Sequence, residues 1–200
     1  MARNSPDPLA IEHALLGFLR SQPMHGYEIY QHLTDPKGLW LVWRIKQSQL
    51  YALLIRLESE GYIASTLQPQ DSRPPRKVFR LTRAGRDRFA AWVRTAVPHG
   101  RDLRQDFLGK FYFARQEDPS VVRLLLAAQH VACEQWLAAM HSEPATSDAN
   151  SFASLVNVFR IGRIKAMLDW LDAAERSDRL ADNANPISST TSDKPFAPKL

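Results

Sequence analysis

The 200-residue sequence is poor in cysteine, since Cys133 is the only one. A single cysteine excludes an internal disulfide and a cysteine-cluster metal site, and this scarcity is typical of a reducing compartment. The sequence also lacks an uninterrupted apolar run of the about 18 residues that a membrane-spanning helix needs. Its first nine residues include Asn, Ser, Asp and two Pro instead of an apolar signal segment. We therefore expect a cytoplasmic protein with no membrane contact.

Motifs for catalysis and metal binding are also missing. The chain has no glycine-rich phosphate loop, nucleophile elbow or paired-carboxylate site. His25 and His32 are seven residues apart, a spacing that is weak evidence for a metal without a third ligand, so we expect no metal and no cofactor. His130 and Cys133 lie three residues apart on one helix face, which leaves a thiol enzyme as an alternative. The apolar residues around them favour a buried thiol beside a hydrogen-bonded histidine, so we expect no catalytic residues.

Charge is unevenly distributed in a sequence whose 44% apolar and 24% charged residues are otherwise typical of a globular protein. Residues 1–100 contain 14 Lys and Arg against 8 Asp and Glu, whereas residues 101–200 contain 12 against 13. From Arg73 to Arg88 there are seven basic residues and one acid, Asp87. This density suits a polyanionic partner, and a solvated charged surface is the alternative.

The first half alternates helical and strand patterns in the order helix, helix, helix, strand, strand, helix. Gly61 closes the third helix because glycine readily adopts the left-handed conformation, and Thr82 caps the fourth. The predicted helices cover 9–20, 26–33, 47–60 and 83–97, and the predicted strands cover 62–67 and 76–81, joined by a polar turn at 68–75. This order predicts a winged helix-turn-helix with a β-hairpin wing, in a mainly α, α+β chain.

The second half has helical patterns at 103–116, 120–141 and 152–176. The last helix is apolar over so much of its circumference that it needs a partner on more than one side, which predicts a second copy. The residues expected at that interface are Phe107, Phe111, Val158, Phe159, Ile164, Met167, Trp170 and Leu171. The predicted organisation is a flexible N-terminus 1–8, a winged-helix domain 9–97, a linker 98–102, a helical dimerisation domain 103–180 and a disordered tail 181–200.

The outer face of the third predicted helix has the chemistry of a DNA-contacting surface. A helix is about 10 to 12 Å across and the major groove about 12 Å wide, so this helix fits the groove. We expect base contacts from Ser48, Gln49, Ala52 and Ile55. We expect phosphate contacts from Lys46, Tyr51 and Arg56 and, on the wing, from Arg73, Arg76 and Lys77. Double-stranded DNA is therefore the predicted partner.

Each of these residues also has a plainer interpretation. Gln49 can be a solvated helix residue, Tyr51 a half-buried packing residue, and Arg56 the partner of Glu60 four residues on. A winged-helix module that binds protein instead of DNA is the alternative function. The small, polar outer face argues against it, because a protein hot spot prefers a large aromatic anchor.

A set of short motifs covering roughly residues 9–96 resembles the PadR family of bacterial transcriptional regulators. The set comprises Leu15-Leu16-Gly17, Pro23-Met24-His25-Gly26-Tyr27-Glu28-Ile29, Trp43, Leu50-Tyr51, Arg56-Leu57-Glu58, Glu60-Gly61-Tyr62-Ile63, Arg76-Lys77, Leu81-Thr82 and Ala84-Gly85. The second half resembles the C-terminal helical domain of the longer family members, through Asp106-Phe107-Leu108, Tyr112-Phe113-Ala114 and Trp170-Leu171.

The resemblance implies a homodimeric DNA-binding repressor that responds to phenolic acids, drugs or other small aromatic compounds. It implies that Tyr51 and the region of Lys77 contact DNA, and that His25, Gly26 and Tyr27 lie against the phosphate backbone. Two recognition helices about 34 Å apart would match an inverted-repeat operator. The chain departs from the family at Ala52, where proline is common, and at the entry 46–49, so the operator cannot be transferred from a relative.

The sequence also contains aromatic residues that could form a small-molecule pocket. Aromatic side chains that can form one are Trp40, Trp43, Trp92, Phe107, Phe111 and Tyr112. An aromatic-rich core or dimer seam is the alternative, and no motif identifies a particular effector.

Overall fold

The computed structural model describes residues 10–70, 73–142 and 150–184, so the predicted N-terminus 1–8 and residues 185–200 of the predicted tail lie outside the described residues. The helices of this part are α1 (Ala10–Phe18), α2 (Gly26–Leu33), α3 (Gln47–Ser59), α4 (Arg83–Arg94), α5 (Asp106–Ala114), α6 (Pro119–Ser142) and α7 (Phe152–Ala184). The strands are β1 (Met24–His25), β2 (Ile63–Gln70) and β3 (Arg73–Leu81). The predicted mainly helical α+β class with a β-hairpin wing is confirmed.

The sheet is antiparallel in the order β1-β3-β2. Sequence patterns do not predict β1, because two residues are too short to show a period. Met24 pairs with Phe79 and His25 with Val78, so β1 attaches the start of α2 to the wing.

The hairpin is longer than predicted. The segment 68–75 was expected to be a turn, but β2 continues to Gln70 and β3 starts at Arg73. The register is irregular between Gln68 and Gln70, where Pro69 lies. Proline has no N–H for a ladder, yet an edge or an irregular position tolerates it, so three prolines do not end the strands here.

Local signals at the base of the hairpin are confirmed. Gly61 has φ of +79°, the left-handed conformation that ends α3. The Thr82 hydroxyl accepts a hydrogen bond from the Gly85 N–H at 3.1 Å and so caps α4. The same hydroxyl donates to the Gly61 carbonyl at 2.7 Å, which fixes α4 against the end of α3.

The helices of the second half differ from prediction at two ends. The predicted helix 103–116 is divided into a 3₁₀ helix, Gly100–Arg104, and α5, which starts at Asp106. The last helix was expected to end at 176, before a tail starting at 181, but α7 continues to Ala184. Of the described helices, none combines the length and apolar character needed to cross a membrane.

One hydrophobic core connects both halves of the described chain. The Phe113 ring of α5 contacts Phe18 of α1 at 5.3 Å and Phe89 of α4 at 5.6 Å between centroids. Gly17 of α1 faces the same ring, since a Cβ atom there would lie 2.6 Å from it. The segment 98–102, expected to be a linker, therefore connects α4 and α5, which already pack against each other in this core.

A buried polar cluster lies at this junction. The indole N–H of Trp92 donates to the Asp106 carboxylate at 2.7 Å, and Lys110, almost fully buried, donates to the Thr95 carbonyl at 2.9 Å. The ammonium of Lys110 lies 3.7 Å from Asp106. Burial raises the pKa of Asp106 and lowers the pKa of Lys110, because it disfavours both charges. The cluster connects α4 of the winged helix to α5 of the second half.

Candidate nucleic-acid interface

The outer face of α3 is exposed where base contacts were predicted. Leu50, Leu54 and Leu57 are fully buried and hold the helix on the core. The opposite side of the helix presents Ser48, Gln49, Ala52 and Ile55 to solvent, and Ile55 is 63% exposed. No acidic residue occurs between Arg44 and Leu57, so this end of the helix does not repel a phosphate backbone.

Gln49 has a structural partner. Its side-chain oxygen accepts a hydrogen bond from the backbone N–H of Lys46 at 2.8 Å, which is half of a capping box. The bidentate pair with adenine expected for Gln49 needs that oxygen as an acceptor. The Lys46 bond occupies one of the two lone pairs of that oxygen and fixes the side chain at the helix start. Ser48, Ala52 and Ile55 have no such constraint on this face and are the better candidates for base contact.

The N-terminus of α2 lies beside Tyr51. A Cβ atom on Gly26 would lie 2.7 Å from Tyr51 Cε1 and 3.0 Å from its hydroxyl oxygen, so glycine is needed for the approach. His25 is the N-cap residue of α2, and its backbone N–H donates to the Glu28 carboxylate at 2.7 Å. Tyr27 and Tyr51 are both exposed. A helix N-terminus and a tyrosine hydroxyl together form a surface suited to a phosphate group.

Arg56 is bound within the protein. Its guanidinium lies 3.2 Å from the carboxylate of Glu12, which is fully buried in α1, and it donates to Glu60 at 2.9 Å. The carboxylate of Glu60 and that of Glu12 raise the pKa of Arg56. The pair with Glu60 is the alternative that the sequence left open, and the buried carboxylate of Glu12 also requires a counter-ion. The geometry of Arg56 supports a structural role, joining α1 to α3.

Glu58 connects α3 to both strands of the wing. One of its carboxylate oxygens accepts from the Ser65 hydroxyl of β2, and the other accepts from Lys77 Nζ of β3 at 2.7 Å. The two hydrogen bonds lower the pKa of Glu58. Lys77, expected to contact phosphate, therefore already has an acidic partner. No sequence pattern indicates this role of Glu58, since only the fold brings it near Ser65 and Lys77.

The remaining wing cations are less constrained. Arg76 and Arg80 are exposed on β3, and Lys46 is exposed at the entry to α3. Arg73 begins β3, but its side chain lies outside the described part of the structure. Arg76 and Arg80 alternate along β3 with Lys77 and Phe79, so they lie on the face of the hairpin opposite to the one that meets Glu58 of α3.

Comparison with known proteins shows which protein families the two halves of the chain resemble. Residues 15–91 match the model of the transcriptional regulator PadR-like family. The first half of the chain is a PadR-like family domain. Residues 103–177 match a second model, virulence activator alpha C-term. PadR-like proteins form a family of regulators and not of enzymes.

Individual relatives of this PadR-like chain include the negative transcriptional regulator PadR of Bacillus subtilis. The two are 25% identical over 173 residues, which are 82% of this chain and 94% of that protein. The crystal structure of Bacillus subtilis PadR in complex with operator DNA is similar at a TM-score of 0.44 and 23% identity, covering 86% of this chain and 99% of that one. A PadR-like regulator of Bacillus cereus has a TM-score of 0.40 and 22% identity, covering 88% and 99%.

The enzyme alternative does not fit this PadR-like chain. Cys133 is buried, its sulfur accepts a hydrogen bond from Gln129 Nε2 at 3.7 Å, and burial raises the pKa of the thiol. A buried thiol with a raised pKa is a poor nucleophile. His130 instead lies 3.4 Å from Asp172 and 3.6 Å from Glu134.

The aromatic residues expected to form an effector pocket are distributed over the core. Trp92 stacks on His13 at 5.2 Å, Phe111 meets Trp170 at 5.2 Å, and the Trp43 ring covers Gly109. Trp40 lies under the Arg44 guanidinium at 4.8 Å, and Tyr112 packs edge-on against Phe113 at 5.1 Å. The geometry supports the alternative of an aromatic-rich core.

A cleft of about 440 Å³ lies elsewhere, between the segment 98–103, α6 and α7. Leu103, Trp136, Met140 and Ile164 contribute apolar surface to it. Its charged lining residues are Arg101, Arg160 and Arg163, and Arg163 donates to the Gly100 carbonyl. An apolar floor with cations at its margin suits an organic anion.

The residues expected at a dimer interface divide into two groups. Phe107, Ile164 and Leu171 are buried in the core of the single chain, so they are not free to contact a partner, and Phe111 and Met167 are half-buried. Trp170 is partly exposed, whereas Val158 and Phe159 are 66% and 64% exposed. Phe152 and Leu155, which are not among the predicted interface residues, extend this apolar surface. At 100° per residue, Phe152, Leu155 and Phe159 share one face of α7.

Proposed function

We propose that this PadR-like regulator is a cytoplasmic homodimeric repressor that binds an inverted-repeat operator. The observation that supports DNA binding most directly is the exposed, acid-free outer face of α3, beside the N-terminus of α2 and a basic wing. The relative named as a negative regulator supports repression.

In the proposed complex, α3 enters the major groove. Ser48 contacts base edges, and Ala52 and Ile55 contact thymine methyl groups, because methyl groups are the apolar feature of that groove. Tyr51 and Tyr27, with the backbone of His25 and Gly26, contact phosphates at the start of α2. Arg76 and the other exposed wing cations contribute affinity that is independent of sequence.

The proposed dimer uses the exposed apolar face of α7. Phe152 is 83% exposed, and Leu155, Val158 and Phe159 adjoin it. A contiguous apolar patch of this kind on a described surface is typical of a protein interface. A two-fold axis through α7 would hold two α3 helices on one side of a duplex, which matches an inverted repeat.

Selection from a pool of random duplex DNA by the purified chain tests this proposal. We expect enrichment of an inverted repeat whose half-sites are about 34 Å, or one helical turn, apart. Enrichment of single, unpaired half-sites would contradict the dimer. Absence of retained DNA at low salt would contradict DNA binding and favour a module that binds protein.

We infer that the effector implied by the family resemblance binds in the cleft beside residues 98–103. The cleft lies between α6, α7 and the segment that directly follows the winged-helix domain, so a ligand there can change how this segment packs on α6 and α7. The lining arginines favour a ligand with a carboxylate and an apolar body.

Benzoate and its neutral counterpart benzamide test this site on the DNA-bound protein. We expect benzoate, but not benzamide, to release the selected operator, and Arg160→Gln to abolish the difference. Arg104→Gln is the matched control, since Arg104 is exposed and does not line the cleft. Equal action of the two compounds, or an unchanged response in Arg160→Gln, would contradict the assignment.

A further inference from the structure

Glu58 is the one acid of the α3 helix that faces the wing. It lies on the last turn of α3, and its two carboxylate oxygens bond to different strands of the hairpin, to Ser65 of β2 and Lys77 of β3. Because both oxygens are used, a single side chain fixes the helix to the two strands at once.

The register of the hairpin explains how one carboxylate meets both strands. Ser65 pairs with Phe79 and Leu67 with Lys77, so these four side chains lie on the same face of the two-stranded ladder. Phe79 is buried, and the Lys77 ammonium lies 5.6 Å from the centre of its ring. Lys77 therefore extends over an apolar side chain towards Glu58.

The hairpin leaves the core directly beyond these contacts. Thr66, Leu67 and Gln68 on β2 and Pro75 and Arg76 on β3 are all exposed. An extended hairpin held only at its base would vary in its angle to α3. Glu58 thus contacts the wing at the point where that angle is determined.

We propose that Glu58 is a positioning residue, which sets the wing at the angle to α3 that the operator requires and so contributes to specificity without contacting DNA. This inference rests on the proposed DNA-binding function. It also assigns Lys77 primarily to the contact with Glu58, whereas Arg76 keeps the predicted phosphate contact.

A purely electrostatic role for Glu58 predicts the opposite change in operator affinity when this acid is neutralised. If Glu58 were only a negative charge near DNA, neutralising it would tighten binding to every sequence. If Glu58 positions the wing, neutralising it frees Lys77 for any phosphate but loses the fit to the operator. Non-specific affinity then rises while operator affinity falls, and the ratio of the two separates the explanations.

The test compares Glu58→Gln with wild type on the selected operator and on a scrambled duplex, using the full chain. We expect the ratio of operator to scrambled affinity to fall about tenfold, as expected when a charge-assisted hydrogen bond is lost. We also expect the salt dependence on scrambled DNA to steepen by up to about one ion, because Lys77 is released. The matched control is Asp87→Asn, which neutralises one exposed acid on α4, away from the wing contact.

Two further variants test the same contact, so that the proposal can still be judged if Glu58→Gln does not fold. Ser65→Ala removes one hydrogen bond without a change of charge, and we expect a smaller fall in the same ratio. Lys77→Met in the Glu58→Gln background should not lower the ratio of operator to scrambled affinity any further, because the effects of substituting two residues that contact each other are not additive. An unchanged or increased ratio in Glu58→Gln, parallel to Asp87→Asn, would overturn the proposal. Failure of wild type to bind any duplex would instead contradict the proposed function itself.

Discussion

The winged-helix half and the long helix α7 expose opposite kinds of surface. On α3 the leucines point inward, and the exposed face has small and polar side chains with a single aliphatic one, Ile55. On the first turns of α7 the large apolar side chains point outward, with Phe152 and Phe159 mostly exposed. The first surface is well hydrated in the absence of a partner, whereas burial of the second against an apolar partner would lower its free energy in water.

The difference shows how one chain can present two interfaces. A polar surface tolerates a free state, so the proposed DNA contact can be reversible. An exposed apolar stripe favours a permanent association, which suits a dimer that exists with or without DNA. Phe113 and the Trp92–Asp106–Lys110 cluster form a core that both halves share, so the two proposed interfaces belong to one packed unit.

The largest effect is expected from a charge on the α7 face. Phe159→Asp should convert the proposed dimer to a monomer and weaken operator binding by about 10² to 10⁴, since contact with the second half-site is lost. Light scattering and operator titration check both values. Ala153→Asp is the matched control, because Ala153 is exposed on the same helix but away from the apolar face. A variant Phe159→Asp that remains dimeric would contradict the proposed interface.

The shared core is tested by Asp106→Ala, which should lower the free energy of unfolding by about 3 kcal/mol because buried Lys110 loses its counter-ion. Denaturant titration should still show one transition for the whole chain. Asp102→Ala, at a partly exposed ion pair with Arg101, should cost less than about 1 kcal/mol. Two separate transitions in wild type would show that the halves fold independently.

Gly26→Ala tests the approach of Tyr51 to α2. The new methyl group would meet the Tyr51 ring at 2.7 Å, so the ring must move and the proposed phosphate site is lost. We expect affinity to fall about tenfold on all duplex sequences, which corresponds to about 1.4 kcal/mol of lost phosphate contact. Gly100→Ala, which has open space around the new atom, should leave affinity unchanged. Equal affinities of Gly26→Ala and wild type would remove Tyr51 and Gly26 from the interface.

Two neighbouring wing cations should differ. Arg76→Ala should reduce the salt dependence of binding by about one ion and lower affinity for all sequences alike. Lys77→Ala should change the salt dependence less, since its ammonium already pairs with Glu58 at 2.7 Å. The salt dependence is measured as affinity against salt concentration. Equal reductions of this dependence in the two variants would contradict the assignment of Arg76 to phosphate and of Lys77 to Glu58.

The smallest effect concerns the start of α3. Gln49→Ala should cost about 1 kcal/mol in the free energy of unfolding, because it removes the acceptor for Lys46 N–H. Gln49→Glu keeps that acceptor, so its stability should match wild type while its DNA affinity falls. Thermal unfolding and operator titration separate the two effects. A stable Gln49→Ala variant that loses preference at one base position would restore the base-contacting hypothesis.

Features determined by neighbouring residues were predictable from sequence. Gly61 ends α3 and Thr82 caps α4 as the local patterns indicated. The outward face of α3 also follows from helical spacing. These features depend on a few adjacent residues, so the sequence alone contains the necessary information.

Contacts between distant residues were not predictable in the same way. The partner of Arg56 is the buried Glu12, 44 positions earlier, and the partner of Glu58 is Lys77 across the hairpin. The apolar pattern of α7 indicated a partner but did not separate Ile164 and Leu171, which face α6, from Phe159, which faces solvent. Glu12 is the only charged residue of α1, whose other residues apart from His13 are apolar, and such an isolated acid is a signal for a buried ion pair.

The central claim is that the outer face of α3 lies in the major groove in two copies per operator. The chain offers a direct test, because its single cysteine is buried and a new thiol at Ser48 would be the accessible one. A DNA-cleaving iron chelate attached to Ser48→Cys should cut the selected operator at two positions about one helical turn apart, symmetric about its centre. Cleavage at a single position, or none under conditions where the protein is bound, would contradict the account.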